Sequence, residues 1–173
     1  MKDVLGLWSL ASESASAYVG VLTDLQARGV EDVVVVATDG LTGADEAVAA
    51  VFPRADHQRC LVHQMRSSLA LVTHTDRKAV ATSLKAVYNA TTESEAELRL
   101  AEAEAEWGAR YGAVFASWPR HWPSLVTFLR YPVALRRALY TTNAVEAVHR
   151  SFRRALKHRG PLPNEMAALK LCY

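Results

Sequence analysis

The chain has 173 residues, half of them apolar or aromatic, with two cysteines and a net charge of +2. Such a length fits one domain with a sizeable core, no apolar run nears the ~18 residues of a membrane span, and the opening MKDVLGLWSLASES is too weakly charged for a secretory signal. Cys60 and Cys172 do not make a disulfide framework, which points to a reducing cytoplasm.

The elements follow in chain order. DVLGLWSL (3–10) is apolar and strand-like. Residues 14–30 read as a helix, with Tyr18, Val21, Leu22 and Leu25 at helical spacing and Gly29 as the stop. EDVVVVATDG (31–40) carries a four-valine run, the mark of a strand buried on both faces. A helix is expected at about 43–51, and ADHQRCLVHQM (55–65) reads as a strand running into another helix. This order is β-α-β-α-β-α, an α/β pattern with parallel pairing. Residues 64–110 give no strand signal, and Pro119, Pro123 and Pro132 are expected to break the stretch after them. We therefore read 64–138 as a helical block inserted into the α/β fold. A helix from about 144 to 158 follows, stopped by Gly160-Pro161, and NEMAALKLCY begins a last one.

Charge is distributed unevenly along this order. Residues 1–119 hold 10 Lys/Arg against 16 Asp/Glu, a balance of −6, whereas 120–160 hold 9 against Glu146 alone, a balance of +8. The asymmetry points to a polyanion partner, with a solvated basic face as the plain alternative.

Two carboxylates stand out. Asp39 ends a hydrophobic strand, and ligand sites of parallel sheets gather beyond the carboxyl ends of strands; alternatively, Asp-Gly simply makes a turn. Glu146 falls at the third position of a helix capped by Asn143, where it serves either as a capping-box acid or as a ligand. At ~100° per residue, Glu146, Arg150, Arg153, Arg154 and Lys157 share one side of that helix. Val145, Val148, Phe152, Ala155 and Leu156 share the other. A cap needs no basic stripe below it. A metal ligand beside nucleic acid does, because phosphate must be held near the metal. Mg²⁺ takes one or two carboxylates plus substrate phosphate, which Asp39 and Glu146 would supply.

VVVVATDGLTGADEAVAAVFPRADHQRCLVHQMRSSL and YTTNAVEAVHRSFRRALKHRGPLPNEMAALKL closely resemble the mutator-type family of bacterial insertion-sequence transposases. The resemblance extends over essentially the whole chain. It implies a ribonuclease-H-like mixed sheet interrupted by a helical insertion, and DDE chemistry. In that chemistry three acids hold two divalent metals, Mg²⁺ or Mn²⁺, for attack on a DNA phosphodiester. Asp39 matches the second acid and Glu146 the last. The family's first aspartate lies on a strand upstream of the one that DVLGLWSL resembles, so this chain is expected to lack it, with the two opening strands and the N-terminal DNA-binding region. Asp3 precedes the wrong strand to replace it. The organisation expected is 1–63 as the first part of the core, 64–138 as the insertion and 139–173 as the closing helices. The expected function is that of a transposase catalytic-domain fragment, inactive alone, acting on transposon ends and target DNA and homo-oligomeric in the intact family. A non-catalytic DNA-binding or transposase-interacting remnant is the alternative; an unrelated ribonuclease-H-like nuclease explains the two motifs less well.

HQRCLVH sets His57, Cys60 and His63 at three-residue spacing. A closed zinc site needs four ligands and the fourth is not evident. The resemblance offers a different account, a Cys-x-x-His pair matched by Cys60 and His63 that shapes the active site or touches DNA; a buried, hydrogen-bonded histidine is the third reading. Trp118 and Trp122 have apolar neighbours and read first as core, with Trp122 the better candidate for stacking on an unpaired base. Arg136 and Arg137, with Arg150, Arg153, Arg154 and Lys157, are the candidate phosphate contacts.

Overall fold

Strand β1 (Val35–Thr38) and strand β2 (Asp56–Arg59) lie parallel, in a register that sets Val35 opposite Asp56, Val36 opposite His57, Ala37 opposite Gln58 and Thr38 opposite Arg59. This is a computed structural model, and it describes residues 4–8, 10, 12, 14–40, 42–140, 150, 154 and 167. The remaining elements are helices: α1 (Ala15–Ala27), α2 (Ala44–Val51), α3 (Leu61–Ala70), α4 (Arg77–Asn89), α5 (Glu93–Leu125), a 3₁₀ turn (Thr127–Arg130) and α6 (Val133–Leu139). The described residues are thus α/β and mostly helical, with a small two-stranded parallel sheet. None of their helices is long and apolar enough to cross a membrane.

Two expectations about strands are corrected here. Residues 4–8 and 10 of the DVLGLWSL segment form no strand; Val4, Leu5, Leu7 and Leu10 are exposed, and Trp8 Nε1 instead donates to Asp24 Oδ2 at 3.2 Å. The valine run is not buried on both faces either. Among the described residues β1 pairs with β2 alone, and Val34 is 67% exposed. Continuous apolar character signals full burial only when strands flank the element and helices cover it.

The chain divides into two units, one of Met1–Val33, Leu41–Ala55 and Asn143–Tyr173, the other of Val34–Gly40 and Asp56–Thr142. In the first, α1 starts where Ser14 Oγ accepts from the amide of Ala17. It ends in a Schellman turn: Gly29, at φ +93°, donates to Gln26 O while Val30 donates to Leu25 O. The glycine stop read from the sequence is therefore a left-handed cap. Helix α2 packs against α1 and buries Ala44, Ala47 and Val48.

In the second unit the helices α3, α4 and α5 build the core. Helix α4 lies along α5 and contributes Val80, Leu84 and Val87, spaced as one helical face. Opposite them α5 places Ala96, Ala103, Val114, Phe115, Trp118 and Leu125. Trp118 is wholly buried, and its Nε1 donates to Ser68 Oγ at 3.1 Å, tying α5 to α3. The expected breaks at Pro119 and Pro123 do not occur: both prolines lie inside α5. Each is exposed, so the backbone hydrogen bond it removes opens toward water, and the buried neighbours Phe115, Trp118 and Leu125 hold the turn in place. The interruption comes earlier, at Tyr111 (φ −130°, ψ 41°). There the phenol donates to Asp76 Oδ2 at 2.6 Å, and Arg110 Nη1 reaches the same oxygen at 2.6 Å.

Beyond the 3₁₀ turn, Tyr131 Oη donates to Asp56 Oδ2 at 2.7 Å, joining the start of β2 to the turn's far end. Burial, together with this bond and the charge of Asp56, pushes the Tyr131 phenol from 10.0 up to about 12. The folded state holds this proton more tightly than the unfolded chain, so its contribution is intact below pH ~10 and is lost as pH rises toward ~12. Tyr131→Phe is therefore expected to flatten part of the alkaline fall in stability, measured by urea unfolding between pH 9 and 12; an unaltered alkaline slope would contradict the assignment.

Candidate functional site

The candidate site forms where β1 ends. Thr38 is its last residue, Asp39 follows, and Gly40 turns the chain with φ +79°. A side chain on residue 40 is disfavoured by that angle, and a Cβ there would sit 2.9 Å from Arg59 Nη1.

What grips this turn is the segment HQRCLVH, residues 57–63. His57 Nε2 lies 2.9 Å from Thr38 Oγ1. The Cys60 amide donates to Thr38 O at 2.8 Å, extending the parallel ladder by one bond. Arg59 Nη1 donates to Gly40 O at 3.1 Å. His63 Nδ1, one turn into α3, stands 3.8 Å from Asp39 Oδ2. Four residues of one short segment thus engage three consecutive residues of the other. The parallel register brings this about, because it sets Arg59 beside Thr38 and lets both chains leave the sheet at the same end.

Gln58, between His57 and Arg59, engages a different part of the molecule, as strand alternation requires. It is fully buried; its Nε2 donates to Arg59 O at 2.6 Å and Leu125 O at 3.0 Å, and its Oε1 accepts from the Phe128 amide at 2.7 Å. Thr127 Oγ1 adds a bond to His57 O at 2.9 Å. The end of α5 is thereby locked onto β2. The sequence reading passed over Arg59 and Gln58. The signal was present: DHQR is a strand of four polar residues, and a polar strand that still pairs must place its side chains on partners.

Asp39 itself is 24% exposed at the side chain. Its Oδ1 is buried, with no hydrogen-bond partner among the described residues. A buried carboxylate oxygen left without a donor is costly unless a cation or solvent meets it. That oxygen fits a hard cation such as Mg²⁺, which takes carboxylate oxygens by preference.

The other sequence candidates are placed as follows. Cys60 is a buried free thiol. Among the described residues no group of three or more His, Cys, Asp or Glu is arranged to hold a metal. Arg136 is tied to backbone: Nε donates to Tyr131 O at 2.9 Å, Nη1 to Thr91 O at 3.0 Å and Nη2 to Leu129 O at 3.0 Å. Arg137 is exposed on α6. Trp122 is half-buried and packs against the helical core. Arg150 and Arg154 are helical and exposed. Asn143, Glu146, Arg153 and Lys157 lie outside the described residues. Tyr140, the last residue before that segment, accepts the Leu61 amide at 3.2 Å through its carbonyl, beside Cys60 and so near the end of β1.

A strand-end carboxylate held by a neighbouring strand and helix defines an α/β protein with a polar site at the carboxyl edge of its sheet. Comparison with known proteins makes this specific. Residues 1–173 match the profile described as Transposase, Mutator family. The chain is 42% identical over 174 residues to a probable transposase for insertion sequence element ISRM3-like of Sinorhizobium fredii, covering 99% of this chain and 43% of that protein. It is likewise 42% identical to the transposase for insertion sequence element ISRM3 of Rhizobium meliloti, with the same coverage. A probable transposase for an insertion sequence element of Corynebacterium diphtheriae is 43% identical, over 100% of this chain and 51% of its own length. This chain belongs to the mutator family of transposases. It spans about half the length of these relatives.

Removal of the Gln58 amide strands the Phe128 N–H and the Leu125 carbonyl in the interior. Gln58→Ala is expected to lower unfolding free energy by about 2–4 kcal/mol, read by chemical denaturation; a loss below ~1 kcal/mol would show that these bonds are replaceable.

Proposed function

We propose that this chain is part of the catalytic region of an insertion-sequence DNA transposase, with Asp39 and Glu146 as ligands to divalent cations. The observation that carries the reading is Asp39 at the end of β1, one oxygen buried without a donor and the turn around it held from the neighbouring segment. The relatives' names give the reaction class.

When bound, Mg²⁺ or Mn²⁺ would activate the attacking water or 3′-hydroxyl and stabilise the leaving oxygen of the DNA strand. The chain's own residues do the rest. Asp39 and Glu146 hold the ions, and His63 and the segment 57–60 keep the Asp39 turn in place. Arg137, Arg150, Arg153, Arg154 and Lys157 attract and orient the DNA backbone without regard to sequence. Arg136, bound to three carbonyls, supports α6 and adds its charge nearby. Trp122 is proposed to stack on an unpaired base, and a second copy of the transposase to complete the active assembly on two DNA ends. The ribonuclease-H-like sheet belongs to this reading, with the helices after β2 as its insertion.

The third acid that the family resemblance implies has no match in these 173 residues. The polypeptide alone is therefore expected to show no strand transfer or nicking on element ends with Mg²⁺ or Mn²⁺, while still retarding DNA in a gel. Robust metal-dependent cleavage that disappears in Asp39→Ala would overturn the missing-acid reading; binding with no cleavage, even when the upstream region is supplied, would favour a non-catalytic DNA-binding role.

Arg150 and Arg154 are four residues apart, each helical and exposed, and are proposed to meet one phosphate backbone. Replacing the two by alanine is expected to reduce the slope of log K against log salt by roughly 1–2. A slope identical to the parent chain would remove them from the interface.

A further inference from the structure

We infer that Arg59 is a positioning residue for Asp39, acting through the turn at Gly40; the inference deepens the reading of Asp39 as a cation ligand and rests on it. Neither the family resemblance nor the sequence spacing singled this arginine out.

Three observations carry it. Arg59 is buried to 9% exposure, and a guanidinium is rarely taken out of water unless it is held by specific partners. Its Nη1 donates to Gly40 O at 3.1 Å, one residue beyond the carboxylate. Its guanidinium also fills the space beside Gly40, with Nη1 2.9 Å and Cζ 3.6 Å from where a Cβ would stand. Arg59 therefore bonds the turn and packs against it. The turn in return favours glycine at position 40, where φ is +79° and a Cβ would displace the Arg59 guanidinium.

The consequence concerns precision. Asp39 lies just past the last rung of a short strand, where backbone is ordinarily the most mobile part of a sheet. A cation ligand must be held to within about half an ångström to work. The Cys60 amide fixes the residue before Asp39 and Arg59 fixes the residue after it, so the carboxylate sits between two anchored carbonyls. His63 then stands on its Oδ2 side. A lysine at position 59 would keep the charge, but a single ammonium does not reproduce the flat fork that both packs on Gly40 and donates to its carbonyl.

The test uses the 173-residue chain, with Mn²⁺ titrated by calorimetry, ¹⁵N relaxation of the Asp39 and Gly40 amides, and a thermal melt. In the parent chain, Mn²⁺ binding should disappear on Asp39→Asn. Arg59→Gln is expected to weaken Mn²⁺ binding about 10-fold or more and to lower the order of the Asp39 and Gly40 amides, while amides of α4 and α5 stay as they were; Arg59→Lys should recover only part of both. Gly40→Ala, which keeps the arginine and intrudes on it, should give the same local signature and stands in if Arg59→Gln does not fold. A lower melting temperature with the two amides and the Mn²⁺ affinity unchanged would reduce Arg59 to a packing residue and overturn the inference. Absence of any Asp39-dependent Mn²⁺ binding in the parent chain would instead remove the cation reading, and the order of the two amides would still decide whether Arg59 holds the turn.

Discussion

Everything in the site depends on one constraint, the parallel register that puts Thr38 beside Arg59. Because side chains alternate along a strand, that register fixes which residues of HQRCLVH meet the turn and which meet the helices. A slip of one residue would place Gln58 beside the turn and send His57 and Arg59 into the helical part. A buried arginine with no polar partner waiting, and the Leu125 carbonyl and Phe128 amide left without Gln58, make that alternative costly. The register is thus chosen from both sides of β2. A two-stranded sheet of four-residue strands has little cohesion of its own, so these side-chain bonds are what make the pairing unique.

Seen this way, the zinc question raised by His57, Cys60 and His63 has a more economical answer. The spacing of three that suggested ligands arises because the segment crosses from strand to helix. His57 is on the strand and meets Thr38, Cys60 caps the helix with its amide on the strand ladder, and His63 comes round one helical turn later to Asp39. His57 and Cys60 meet different atoms of Thr38, and His63 meets Asp39. The pattern is one of bracing rather than of convergence on a point.

How much of this was legible follows from where local chemistry decides the outcome. Helix α1 was readable from end to end, because a side-chain cap at Ser14 and a left-handed glycine at Gly29 act within a few residues. Strand β1 was legible from its valine run, and β2, though polar, was read as the strand leading into α3. Asp39 was legible as a site candidate from its place at a strand end. Three features depended on distant neighbours and were not. Pro119 and Pro123 read as breaks, yet the packing of Trp118 and Phe115 against the rest of the core outweighs a propensity cost of ~3 kcal/mol each. The real interruption at Tyr111 is set by Asp76, 35 residues away. The apolar 3–10 segment read as a strand because composition records the wish for burial and not the presence of a partner.

The charge split shows the same limit in electrostatic form. Counting from sequence, residues 120–160 offer nine cations, but among the described residues at least Arg130 and Arg136 are already engaged within the protein. Arg136 spends three donors on backbone carbonyls, and Arg130 pairs with Asp56 at 3.3 Å. The Arg130 pair is exposed and weak, so a phosphate can compete for it. Arg136 is different, because releasing it would leave the carbonyls of Leu129 and Tyr131, which shape the bend into α6, without their donor. A guanidinium held in this way still contributes its positive charge to the local field. Arg136 thus stiffens the bend into α6, and on the proposed reading the contacts with DNA are left to side chains such as the exposed Arg150 and Arg154.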